Sequence, residues 1–123
     1  MLVMLGGALG SGARYLIGLG AAAKLPGTFP FGTLCVNVLG SFALGMVAQI
    51  AMQNAAFSPD TRAFVAAGVL GGFTTYSSFN QETIDLVQAG ALGQAVLYAV
   101  VTTTACLACG VAGMALARMF AAN

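Results

Sequence analysis

The chain has 123 residues, of which 59% are hydrophobic and only 6% charged, and its mean hydropathy is +0.94. A soluble domain keeps itself dispersed with roughly a quarter to a third of its surface charged, so this composition excludes one and assigns the chain to a bilayer. Four Lys plus Arg against three Asp plus Glu leave a net charge of +1, without the basic face that nucleic acid demands.

A helix that crosses the hydrocarbon needs about 20 residues at a rise of about 1.5 Å each, so four spans with short connections fit this length best. Met1 leads directly into an apolar Gly/Ala-rich run with no basic segment, so a cleavable leader is not expected and the first helix is retained. That first span is expected from about residue 2 to 23, closing at Lys24 ahead of Pro26-Gly27-Thr28-Phe29-Pro30, where two prolines forbid further helix. Along it Gly6, Gly10, Arg14 and Gly18 recur every fourth position, a small-residue stripe that suits close packing either within the subunit or between subunits.

The second span is expected over about 32–53, with Thr33, Asn37 and Ser41 on one face. Asn37 is the strongest hydrogen-bond donor of the three. Ser58 ahead of Pro59 reads as the N-cap of a third span over about 62–87. Gly68, Gly71-Gly72 and Thr74-Thr75-Tyr76-Ser77-Ser78 put helix-weakening residues in the middle of it, so a broken helix is expected. Beyond the break Tyr76, Phe79, Asn80 and Thr83 share a face, Ser78 and Glu82 lie four apart, and the positive ring edges of Tyr76 and Phe79 could meet an anion.

The fourth span, about 92–119, carries Tyr98, Thr102 and Cys106 on one stripe with Thr103 and Thr104 beside it. A track of rotatable hydroxyls suits an anion that is losing water, whereas hydroxyls bonded back to their own helix are the commoner use of threonine. Cys35, Cys106 and Cys109 lie in apolar stretches with no His in the chain, and they read as small packing groups. No nucleophile–base pair or suitably paired carboxylates occur, so the sequence is not that of an enzyme.

With four spans, Arg62 and Arg118 fall on one side of the membrane and Lys24 on the other. The rule that directs Lys and Arg to the cytoplasm acts on their excess, and two against one is almost none. Insertion in both orientations is therefore expected, and with it an antiparallel pair, the single-gene equivalent of an inverted repeat.

The segments Gly6-Gly7, Gly12-Ala13-Arg14-Tyr15, Gly32-Thr33-Leu34 with Val36-Asn37, and Gly71-Gly72-Phe73-Thr74-Thr75-Tyr76-Ser77-Ser78-Phe79 resemble the Fluc/CrcB family of fluoride channels. The resemblance implies an all-α, four-helix integral membrane protein of the bacterial inner membrane. It would work as a dual-topology homodimer that passively exports fluoride and protects the cell from it. It also implies a sodium ion at the dimer centre, held by backbone carbonyls of Gly71 and Thr74 from both subunits. The family's pore amide falls on Asn37, its paired aromatics on Tyr76 and Phe79, and its hydroxyl track on Tyr98 and Thr102, with Ser77, Ser78 and Glu82 near one end. Thr33 and Thr104 are expected to bond across the dimer centre, and Arg14 to draw anions into an aqueous vestibule. This chain has Tyr76 where the family usually has Phe, Ser78 where Thr is usual, and Cys106 where a hydroxyl is usual.

Two other classes share the hydropathy pattern. A small multidrug transporter is also four-spanning, but it needs a carboxylate in its first helix, and positions 2–23 contain no Asp or Glu. A non-transporting assembly subunit would tolerate replacement of Asn37 and Phe79 with effects on stability alone.

Overall fold

The computed structural model describes residues 1–25, 27–54 and 57–121, and among them every regular element is a helix. Helix α1 is Leu2–Lys24 and α2 is Phe31–Gln53. Residues 59–73 form a continuous helical run, α3, made of an α-turn at Pro59–Arg62, a π-helical stretch at Ala63–Leu70 and a last α-turn at Gly71–Phe73. Tyr76–Gln88 is α4 and Leu92–Ala121 is α5. Pro26 and the tail beyond Ala121 lie outside the described residues.

Each boundary has a local cause. Ser58 caps α3 by accepting the Thr61 N–H at 3.1 Å, with Pro59 in the first turn, where its missing N–H is no loss. At the other end of the third span Gly90 adopts φ 75°, and the N–H groups of Gly90 and Ala91 reach back to the carbonyls of Val87 and Leu86 at 3.0 and 2.9 Å. This paired reach-back closes α4 with a glycine in the left-handed region, as side chains with a Cβ resist doing.

Helices α1, α2 and α5 are each long and apolar enough to cross a membrane. The third span is divided at Thr74–Thr75, and neither α3 nor the 13-residue α4 matches them in length alone. Packing is in two pairs, α1 along α3 and α2 along α5, with α4 resting on α5. In the first pair Gly6 and Gly10 are buried, and a Cβ on Gly6 would lie 2.6 Å from the Phe64 carbonyl, so this part of the stripe serves contact within the subunit. In the second, Gly45 meets the backbone of Gly110 so closely that any side chain would collide. The outer faces are apolar and open: Leu16, Leu107 and Val111 are each about two-thirds exposed, as suits lipid or a second copy.

Candidate functional site

The interior polar groups begin at the break. Thr74 and Thr75 leave the helix for extended backbone, with ψ 155° and 114°. Continuing the helix would send the Thr75 N–H to the Gly71 carbonyl. It donates instead to Asn37 Oδ1 at 2.7 Å, while Asn37 Nδ2 donates to the Thr75 carbonyl at 3.0 Å. The Asn37 amide thus replaces a strand partner for one residue, and it does so while 8% exposed. An unpaired backbone group at that depth would cost about 1–3 kcal/mol, so this clamp is what makes an interruption in the span tolerable. One Nδ2 hydrogen is left over.

Thr75, which the sequence shows only as one of several helix-weakening residues, turns the break into a helix start. Its hydroxyl accepts the Ser78 N–H at 3.1 Å as the α4 N-cap, and it lies 3.2 Å from Ser77 Oγ and 3.1 Å from Ser78 Oγ. Three hydroxyls are therefore gathered at the α4 N-terminus, where the helix dipole is positive.

One turn along α4, Glu82 brings three helices together. Thr33 of α2 donates to Oε1 at 2.7 Å and Tyr98 of α5 donates to Oε2 at 2.7 Å, so each carboxylate oxygen receives one hydroxyl. Such charge-assisted bonds are short and strong. Thr33 and Thr104 have separate partners within the chain, since Thr104 bonds back to the Val100 carbonyl at 2.7 Å. Thr83 and Thr74 do likewise, to Phe79 and Leu70.

Rings continue the line. Tyr98 is fully buried; its ring centroid is 5.2 Å from Phe79, which is 5.6 Å from Tyr76. Tyr76 is 78% exposed, with its phenol outside the packed core of this chain. One turn beyond Tyr98, Thr102 is 5% exposed, and its hydroxyl has no hydrogen-bond partner. Of the two buried threonines, Thr75 is bonded and Thr102 is not. Cys106, one turn further, is half-buried, and all three cysteines are free thiols.

A cavity of about 310 Å³ is lined by Arg14, Ser11, Thr33, Thr75 and Ser78 among others. Arg14 Nε is buried without a partner, and Nη2 reaches Ser11 Oγ only at 3.5 Å, so the guanidinium is largely unspent. A second cavity, about 550 Å³, contains Glu82, Asp85 and the α1–α2 loop, and the two share Gly18, Gly32 and Thr33 as walls. The Arg14 cavity thus adjoins the Thr33, Thr75 and Ser78 hydroxyls, and Thr33 reaches on to the Glu82 carboxylate.

No group of three or more His, Cys, Asp or Glu that could hold a metal gathers among the described residues. The Thr74 hydroxyl is occupied by Leu70, Ser11 takes the Gly72 carbonyl at 3.4 Å, and the Gly71 carbonyl has lost the N–H that helix continuation would supply. Gly71 is exposed.

A family model described as CrcB-like protein, Camphor Resistance (CrcB), matches residues 1–114. A protein of Anaeromyxobacter dehalogenans named fluoride-specific ion channel FluC is 52% identical over 121 residues, covering 98% of this chain and 96% of that one. Proteins of the same name from Sorangium cellulosum and Thermus thermophilus are 44% identical over 119 residues and 50% over 99, covering 97% and 80% of this chain and 94% and 77% of their own lengths.

Proposed function

The chain belongs to the CrcB-like family, and from that premise we propose that it is a fluoride-selective passive channel, a multi-pass protein of the bacterial plasma membrane that lets cytoplasmic fluoride escape. The observation that carries the reading to particular residues is the set of donors left unspent in an otherwise satisfied interior: Arg14 Nε at the mouth and the Thr102 hydroxyl within. Buried polar groups are normally paired, and a donor without a partner in a membrane protein has a ligand or water as its natural acceptor.

Fluoride reaches the cytoplasm as membrane-permeant HF and dissociates there, so an uncoupled anion path is enough to let the membrane potential expel it. A small anion binds its water tightly, and a narrow path must replace that shell with donors weak enough to release it. Arg14 raises anion concentration at the mouth by its charge. Ser77 and Ser78 offer hydroxyls at the α4 N-terminus, the remaining Asn37 hydrogen and the edges of Tyr76 and Phe79 offer weaker contacts, and Thr102 and Tyr98 continue the track. At the far end Thr33 and Tyr98 can exchange the Glu82 carboxylate for fluoride as acceptor, and the carboxylate then repels the ion onward.

The working unit in this reading is an antiparallel homodimer. Its support is the near balance of loop charges and the large apolar faces left open on one chain. The freed carbonyls of Gly71 and Thr74 fit a sodium ion in donor chemistry, because unwound carbonyls coordinate such ions in membrane proteins. One chain offers only two of them, so a second copy across a two-fold axis would complete the set. When bound, the ion would supply a fixed positive charge that ties the two breaks together.

The test is efflux from liposomes that hold purified protein and are loaded with fluoride or chloride, followed with ion-selective electrodes after a potassium diffusion potential is imposed. Fluoride release with chloride retained is expected. Equal release of both anions would remove selectivity, and no fluoride release would remove the channel.

A further inference from the structure

We propose that Phe29, carried by the loop between α1 and α2, is a positioning residue that holds the Tyr98 hydroxyl on Glu82. This rests on the reading that Glu82 and Tyr98 lie on the anion path. The Phe29 ring stands edge-on to Tyr98, with centroids 5.4 Å apart and planes at 79°, while Phe79 packs on Tyr98 from α4 at 5.2 Å and 54°. Tyr98 is therefore held between one ring from a helix and one from a loop. Edge-to-face pairs of this kind fix orientation as well as fill space.

The loop is itself fastened. Thr28 Oγ1 donates to Gln94 Oε1 of α5 at 2.9 Å, the Phe31 N–H closes on the Phe29 carbonyl at 2.9 Å, and the Phe31 ring lies 4.8 Å from that of Phe29. Gly27, at φ 144°, permits the turn that brings Phe29 inward. Phe29 also packs against the small buried cluster of Leu86, Ala95 and Tyr98. On its other side lies the cavity of about 550 Å³ that contains Glu82 and Asp85. Without the Phe29 ring, Tyr98 would border that space, and its phenol could leave a carboxylate that only Thr33 would then satisfy. Phe29 has no polar side-chain atom, so its effect passes through Tyr98.

The experiment is fluoride efflux from liposomes containing the full chain, with Tyr98→Phe, Phe29→Ala, Phe29→Tyr, Thr28→Val, and Phe29→Ala and Thr28→Val each combined with Tyr98→Phe. Loss of a hydroxyl bonded to a charged group predicts about tenfold slower efflux in Tyr98→Phe. Loss of the ring pair predicts about fivefold slower efflux in Phe29→Ala, with near-normal rates in Phe29→Tyr. Thr28→Val, at an exposed position, loosens the strap without touching the core and should slow efflux about twofold. In the Tyr98→Phe background neither loop variant should slow it further, because no hydroxyl remains to be held. Multiplying effects in the doubles, or full rates in both loop variants while Tyr98→Phe is slow, would overturn the positioning role and leave the path intact. A full rate in Tyr98→Phe would instead overturn the path reading, and the positioning role with it. Should Phe29→Ala fail to assemble, the Thr28→Val pair decides by the same criteria.

Discussion

Asn37 on α2 and Thr102 on α5 are both buried and polar on helices that pack together, yet they are treated oppositely. Both ends of the Asn37 amide are bonded to one backbone unit, Thr75, whereas the Thr102 hydroxyl has no bond. The first arrangement is structural in its effect: it satisfies a break that lipid would otherwise penalise. The second has no structural use, because a methyl group would fill the same space without a polar group to desolvate. The difference teaches where to look for ion chemistry in an apolar bundle, namely at the donors that the fold declines to satisfy.

Replacing Asn37 by Leu should give the largest loss of stability. Two buried backbone groups of Thr75 lose their partners, a destabilisation of about 2–6 kcal/mol, and the melting temperature in detergent should fall accordingly. Asn37→Asp keeps an acceptor for the Thr75 N–H but no donor for its carbonyl, and it should fall between Leu and the native residue. If Asn37→Leu melted like the native protein, the contrast with Thr102 would collapse.

Glu82→Gln comes next. The amide can still accept from one of Thr33 or Tyr98 but offers N–H to the other, so one short bond of two is lost. A stability loss of about 1–3 kcal/mol is expected, together with efflux at least about tenfold slower, read on the same preparation. Gln49→Leu should be smaller still. Gln49 is buried and accepts from Arg118 Nε at 3.0 Å, but Arg118 is exposed and can turn to water, so a change below about 1 kcal/mol with unaltered efflux is expected.

Composition alone made the membrane class legible, and the Gly71-to-Ser78 run made the break legible, because glycine and hydroxyl residues weaken a helix wherever it lies. The Ser58–Pro59 start was readable for the same local reason. What the sequence hid is long-range. The Thr33 hydroxyl meets Glu82, 49 residues away, which no periodicity on a single helix can reveal. The pairing of Asn37 with the Thr75 backbone, 38 residues away, is equally invisible along the chain. The π-helical stretch at Ala63–Leu70 leaves no mark beyond Gly68 in a run otherwise made of Ala, Val, Leu and Phe, since these residues suit either winding. Phe29 reads as a turn residue because its partner, Tyr98, lies on α5, the last helix of the chain.

Thr102→Val closes the comparison from the other side, and its effect on stability should be the smallest, within about 0.5 kcal/mol or slightly favourable, because no bond is broken. The decisive measurement is therefore fluoride efflux from liposomes containing Thr102→Val, beside native protein of equal melting temperature. The expected result is efflux slowed about tenfold, as follows from removing one donor from a path that replaces water around an anion. Native-rate efflux in that variant would contradict the claim that the unsatisfied Thr102 hydroxyl of this fold lies on the ion's path.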